Sequence, residues 1–485
     1  MDRKWRTLII VCVAIFMLLL DITVVNVALP DIQRELHTSF TDLEWVIDAY
    51  ALMLATVMLN AGSLADLLGR KRVFVVGVVL FTAASAACGS ATTPLFLNLA
   101  RGAQGVGGAI MFAVSLALLS QEFHGRERGT AFGIWGATVG AAVAIGPMVG
   151  GAITTWLGWR WIFFVNLPIG AACVAGAVRE LRESRDEEHG GFDLPGFATL
   201  SAGLFALVLG LLRGNDWGWS SGRELALLAA AGASVAAFVA VEWRQREPML
   251  DLSLFRVPTF TGAQITAFAM SSAMFSQFLY LTLYLQNVLG YSPIGAGLRF
   301  LPLSMLSFAT APLAGRLSVR IPVRALLGVG LALNGAALLL MHGITVSSGW
   351  TTLLAGFVLG GIGIGLVNAP LAATAVSVVP PRQAGMASGI NNTFRQVGIA
   401  TGIAGLGAIF QQSVQASLGG APAKFGRAVA SGNVRTPAAR AAFVHGLNEI
   451  LLVAAFVAIA GAVLAFALVR RRDLVPHAPA AVGEG

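Results

Sequence analysis

Long apolar runs recur along this chain with little between them. Thr7 to Leu29, Val73 to Thr92 and Ala442 to Val469 each supply the roughly 20 predominantly apolar residues that carry an α-helix across a bilayer core. Cutting the pattern at its polar, glycine and proline punctuation predicts about fourteen helical spans. They start near Thr7, Leu43, Val73, Leu95, Gly129, Trp161, Leu194, Glu224, Thr259, Ser292, Val323, Thr351, Gln383 and Ala441. An even count leaves both termini on one side. Placing that side in the cytoplasm gives the inner segments an excess of Lys and Arg, as orientation in a membrane requires. Arg101, Arg299 and Arg395 fall inside spans, and Lys424, Arg427, Arg435 and Arg440 gather in the last outer loop, at 412–440. Trp5 and Trp243 mark inner boundaries, Trp45, Trp156, Trp159, Trp217, Trp219 and Trp350 mark outer ones, and Trp135 sits within a span.

Composition sharpens this picture. With 485 residues, 56% of them hydrophobic and only 12% charged, and a mean hydropathy of +0.77, the chain is too apolar for a string of soluble domains. The net charge of +8 is dispersed in short clusters between spans, which argues for topology signals and against a nucleic-acid surface. Cys12, Cys88 and Cys173 lie inside apolar runs without metal-ligand spacing or a disulfide framework. Arg3, Lys4 and Arg6 precede the first run as in a signal peptide, but that run is long, carries Asp21 and lacks a small-residue cleavage site, so it is expected to remain as the first helix. Lys4, Lys71 and Lys424 are outside any Gly-Lys-Ser/Thr context, so nucleotide hydrolysis is unsupported. No catalytic set, metal site or cofactor is expected.

The polar residues that interrupt the spans carry the chemistry. Asp21 in the first span, Asp48 in the second and Arg101 in the fourth come to one level by helical rise, and ionisable groups at that depth form a candidate proton site. Arg101, Gln104, Gly105 and Gly108 share one face of the fourth span. The loop Gly62-Ser-Leu64-Ala-Asp66-Leu-Leu-Gly69-Arg70-Lys71-Arg72 places an acid at a helix C-terminus, where the macrodipole disfavours it, so Asp66 needs a dedicated partner. The run Gly146-Pro147-Met-Val-Gly150-Gly151 gives the fifth span a small, bent face for close packing. Met274, Phe275 and Phe278 make an adaptable apolar wall on the ninth span, with Trp135, Gln104 and Asp48 as further substrate-binding candidates. Arg395 lies on a polar stripe of the thirteenth span, and Glu449 is a buried acid of the last, open to substrate, to a second proton or to a pair with Arg395. Gly62, Leu64 and Lys71 recur at the same offsets as Gly315, Leu317 and Arg324, an internal repeat that suggests two six-helix halves.

Asp21 to Pro30, Gly62 to Arg72, Arg101 to Gly108, Gly136 to Gly151 and Trp159-Arg-Trp-Ile-Phe-Phe-Val-Asn166-Leu-Pro168 together resemble the fourteen-span drug:proton antiporters of the major facilitator superfamily. The resemblance implies an all-α integral membrane protein with a six-helix bundle at 1–180, two extra helices at 181–258 and a second bundle at 259–485. It further implies rocker-switch alternating access, with Asp21 and Arg101 in proton coupling, Gly62, Asp66, Gly69 and Arg70 in an inner gate with Glu122 as the partner of Arg70, and Gly146 and Pro147 at the antiporter helix bend. The expected activity is proton-driven export of amphipathic drugs or antibiotics, cationic or neutral because the cavity would carry carboxylates. A proton-coupled importer of a nutrient or metabolite is the alternative, against which the small face of the fifth span argues. The expected partners are protons, a small organic substrate and the lipid bilayer, without nucleic acid. The chain is expected to work as a monomer, multi-pass in a bacterial inner membrane with both termini cytoplasmic.

Overall fold

In lipid every backbone N–H and C=O must be satisfied within the segment, and this sequence answers with helices. A computed structural model describes residues 2–473 apart from 38–39, 124, 186–192, 246–249, 319, 381–382, 420–421, 431, 433 and 435. Its helices are α1 (Arg3–Leu36), α2 (Phe40–Leu68), α3 (Arg70–Gly89), α4 (Pro94–Glu122), α5 (Gly125–Leu157), α6 (Trp161–Phe164), α7 (Asn166–Glu180), α8 (Leu194–Trp217) and α9 (Gly222–Arg244). They continue with α10 (Pro258–Met270), α11 (Ser276–Leu283), α12 (Pro293–Leu317), α13 (Val323–Met341), α14 (Leu354–Ser377), α15 (Ala384–Ser417), α16 (Ala423–Ala430) and α17 (Pro437–Leu468).

Local chemistry sets many of the starts. Thr93, Asp193, Ser292 and Thr436 cap α4, α8, α12 and α17 through side-chain oxygens that accept from the backbone, each with proline in the first turn. Twelve helical segments among the described residues are long and apolar enough to cross a membrane. The helices α5 and α12, with 33 and 25 residues, are not among those twelve. Yet α5 begins where Glu127 pairs with Lys4 at the start of α1, and it leads into Arg160, which pairs with Glu35 at the end of α1. It therefore runs beside α1 through the same thickness, and α12 runs back along α5 from Ser307 near Gly140 to Gly315 against Gly129. Apolar side chains such as Leu95, Leu99, Met305 and Phe456 face outward, as a lipid-facing surface requires.

Two bundles, α1 to α7 and α10 to α17, meet where α5 packs on α12 and α2 on α15. The hairpin α8–α9 leans on this seam, with α8 touching both α2 and α15. Two features depart from the expected spans. The ninth is broken by π-helical turns at Ser271–Phe275 and Tyr284–Val288, and the 412–440 loop contains α16.

Both bundles close tightly at the end where α1 begins and α17 finishes, termed the terminal end. A Cβ added at Gly62 would meet the Gly385 carbonyl oxygen at 2.3 Å, and one added at Gly129 would meet that of Gly315 at the same distance. One turn further in, Gly389 lies against the Leu59 carbonyl and Gly133 against Pro312. The two crossings are related by the repeat that pairs Gly62 with Gly315 in the sequence. Only backbone without side chains can approach so closely.

Candidate functional site

Asp21 is the centre of the N-terminal bundle. Its side chain is fully buried, and its Oδ2 accepts from Arg101 Nη1 at 2.5 Å. Oδ1 accepts from Gln104 Nε2 at 2.9 Å and from Asn166 Nδ2 at 3.2 Å. Arg101 also donates from Nη1 to Gln104 Oε1 at 2.8 Å and from Nε to the Val46 carbonyl at 2.9 Å, and it stacks 4.3 Å from the Tyr50 ring. The cluster thus joins α1, α2, α4 and α7. Gly105 makes room for it, since a Cβ there would meet the Tyr50 carbonyl oxygen at 2.4 Å. All three groups facing Asp21 are donors, an arrangement that suits an ionised carboxylate, which only accepts. A proton on Asp21 would confront the Arg101 guanidinium, which has no acceptor to offer. Asn166 and its support Ser85, whose Oγ accepts from Asn166 Nδ2 at 3.0 Å, were not singled out as site residues. Polar side chains inside otherwise apolar helices are the signal that marks them.

Asp48 does not join this site. Its carboxylate pairs instead with Arg213 of α8 at 3.0 Å, and the Arg213 guanidinium also stacks on the Trp45 ring. Helical rise placed Asp48 at the right depth but not the right azimuth, and the hairpin α8–α9 supplies a closer cation. Asp48 is therefore a tie between α2 and α8.

At the terminal end, Asp66 accepts from the backbone N–H groups of Gly385 at 3.2 Å and Met386 at 2.8 Å, in the first turn of α15. This is the dedicated partner its position demanded, a helix N-terminus from the other bundle. Arg70 donates to Asp66 from Nε at 2.9 Å and Nη2 at 2.8 Å, an ion pair within the first bundle, and among the described residues no pair with the expected partner Glu122 is seen. Asp66 and Arg70 are four apart in sequence, and the turn at Gly69 between α2 and α3 brings them together. Gly69 has φ +106°, and a Cβ there would collide with the Glu183 carboxylate. That carboxylate accepts from Lys71 N at 3.0 Å and Arg72 N at 3.2 Å and so caps α3, a role the sequence did not mark. Gly146 and Gly150 press α5 onto α1 at Thr23 and Val24, and Gly151 is buried. The side chain of Pro147 lies outside the described residues.

Between the bundles is a cavity of about 20 Å³, room for little more than a water, lined by Val139 and Gly140 of α5, Phe278 of α11, Leu303, Ser304 and Ser307 of α12, and Ile364 and Asn368 of α14. Of the expected substrate contacts, Phe278 is present. Met274 is packed in the core of the second bundle against Gly360, Trp135 is fully buried against Phe112, and Gln104 belongs to the Asp21 cluster. The Phe275 side chain lies outside the described residues. Arg395 donates to Asn368 Oδ1 at 3.1 Å and forms no ion pair with half-buried Glu449. No carboxylate is among the lining residues, so the basis for expecting a cationic substrate is absent from this cavity.

Comparison with known proteins agrees with this architecture. Residues 11–403 match the family model of the Major Facilitator Superfamily. The chain is 38% identical over 413 residues to the Multidrug resistance protein Stp of Mycobacterium tuberculosis (strain CDC 1551 / Oshkosh), covering 85% of this chain and 77% of that protein. It is 36% identical over 413 residues to the Tetracenomycin C resistance and export protein of Streptomyces glaucescens, with the same coverage. The proton:xylose symporter XylE has the same fold, with a TM-score of 0.67 over 96% of each chain at 11% identity. With its helices, its paired bundles and its sequence all in agreement, the chain belongs to the Major Facilitator Superfamily.

Proposed function

We propose that this protein is a proton-coupled antiporter that exports amphipathic drugs or antibiotics by alternating access across a bacterial inner membrane. The observation that carries the reading is the sealed Asp21 cluster, a titratable group held by three donors from α4 and α7 at a junction of four helices of one bundle. Relatives named for multidrug resistance and for antibiotic resistance and export support the substrate class. The terminal end is assigned to the cytoplasm by its excess of Lys and Arg, with fourteen crossings once α5 and α12 are counted.

The chemistry follows from the hydrogen bonds. With Asp21 ionised, Arg101 is neutralised and holds α1, α2 and α4 together. A proton arriving on Asp21 turns one of its oxygens into a donor and releases Arg101, which loosens the bundle around α2. The gate helix α2 also carries Gly62 and Asp66, so a change at the cluster reaches the terminal end through a continuous helix. Substrate bound from the cytoplasm favours the deprotonated state, and a proton bound from outside favours substrate release. The test is uptake of a panel of dyes and antibiotics into inverted membrane vesicles. Uptake of at least one compound, collapsing when the proton gradient is dissipated, is expected. Uptake indifferent to the gradient would contradict coupling, and no uptake beyond that of vesicles lacking the protein would contradict export.

A further inference from the structure

Two arginines buried in the spans are satisfied very differently. Arg101, 1% exposed, has a carboxylate, an amide oxygen and a carbonyl as acceptors. Arg395, 6% exposed on α15, has Asn368 Oδ1 for its Nη1, while Nε and Nη2 have no acceptor among the described residues. The sequence contains no Asp or Glu between Asp251 and Glu449, so α10 to α16 bring no carboxylate to this guanidinium. A guanidinium does not shed its proton, and a buried cation without a counter-charge is costly. The arginines that tie helices together in this fold, Arg101 and Arg213, each have a carboxylate partner.

The surroundings of Arg395 are built to receive rather than to neutralise. Asn368, which accepts from Arg395, also lines the cavity, and its Nδ2 donor has no partner among the described residues. Ser307 Oγ, in the same lining, is also without a partner there. Ser304 adds a second hydroxyl to the lining, and the wall is apolar at Val139, Phe278, Leu303 and Ile364. Arg395 stands behind Asn368 and not in the lining itself, so in a state wider than this cavity of about 20 Å³ its unmet charge and the polar corner beside an apolar wall suit a molecule with an aromatic body and a planar oxyanion. A guanidinium binds such a group through two parallel bonds.

Building on the reading of the chain as a drug exporter, we infer that Arg395 and Asn368 form a subsite for an acidic group, a carboxylate or ionised phenol, on the exported molecule. The substrate then supplies the counter-charge that α10 to α16 do not bring to Arg395. This reverses the charge preference expected when carboxylates were assigned to the cavity.

The test is equilibrium binding by calorimetry on the full-length protein in detergent at neutral pH, with anthraquinone-2-carboxylate against its uncharged carboxamide. The wild type is expected to bind the acid at least about tenfold more tightly than the amide. Arg395→Gln should bind both alike while keeping its affinity for the amide, and Arg395→Lys should fall between, because an ammonium keeps the charge without the fork. Should Arg395→Gln fail to fold, Asn368→Ala carries the test, and the preference should shrink in it. A wild type that binds the amide as tightly as the acid, or binds neither, overturns the inference, as does a preference that survives Arg395→Gln. Gradient-driven uptake of an uncharged dye in vesicles is independent of all these results, so export can stand where the acidic subsite fails.

Discussion

Asp66→Asn tests the link between the two bundles most sharply. Of the bonds to Asp66 among the described residues, those from Gly385 N and Met386 N cross between the halves, whereas Arg70 lies with Asp66 on the same side of the seam. Hydrogen bonds to a charged group contribute about 1.5–3 kcal/mol and neutral ones about 0.5–1.5. Turning the carboxylate into an amide leaves one accepting oxygen and no charge for the α15 N-terminus, a loss of roughly 2–3 kcal/mol over the two bonds. At about 1.4 kcal/mol per factor of ten, the ratio of closed to open terminal ends should fall roughly 30- to 150-fold. Spin labels at the exposed positions Arg72 and Arg324, in a background lacking Cys12, Cys88 and Cys173, report the separation of the two halves at that end. The distance distribution is expected to move to longer values in Asp66→Asn, with slower transport and unchanged or tighter substrate binding from that side. An unchanged distribution would refute the reasoning and leave the loop a role in folding alone.

Other perturbations follow from the same geometry. Gly146→Ala places a Cβ 1.7 Å from Thr23 Oγ1, so it should destabilise by about 1–3 kcal/mol in thermal unfolding, with partial recovery in combination with Thr23→Ala; a variant as stable as the wild type would mean that α1 and α5 are not packed this way. Asp48→Asn removes the carboxylate from Arg213, and the expected result is a lower thermal midpoint with equal effects on charged and neutral substrates. Full stability with loss of cationic substrates alone would return Asp48 to the transport path. Cysteines at the exposed positions Arg182 and Ser347 should label from opposite faces of the membrane, and labelling of both from one face would break the assignment of ends.

Apolar run length, caps and small-residue faces made the helices legible, because in lipid a backbone has few other options. The small face at Gly146 is legible as a site of close approach, and the structure brings Thr23 against it, whereas the close contacts at Gly62 and Gly69 are seen only in the structure. Asp66 announced its need for a partner through the dipole it opposes, and α15 supplies one. Depth along a helix is computable from sequence, but direction around the axis and the identity of a neighbouring helix are not. Asp21 and Arg101 therefore met as expected, whereas Asp48 turned to Arg213, a residue of the added hairpin. The same limit hid Asn166 and left Glu449 apart from Arg395. The π-turns in the ninth span leave no mark in hydropathy, since they shift the register of hydrogen bonds without changing which residues are apolar.

The central claim is that Asp21 is the proton carrier, and the most direct measurement is proton release on substrate binding. Purified protein in weakly buffered detergent solution, mixed with a compound it exports, should acidify the solution as the substrate-bound state favours ionised Asp21. Asp21→Asn keeps the volume of the side chain but cannot carry the proton, so it is expected to bind the compound without acidification. Proton release from Asp21→Asn equal to that of the wild type would contradict the account.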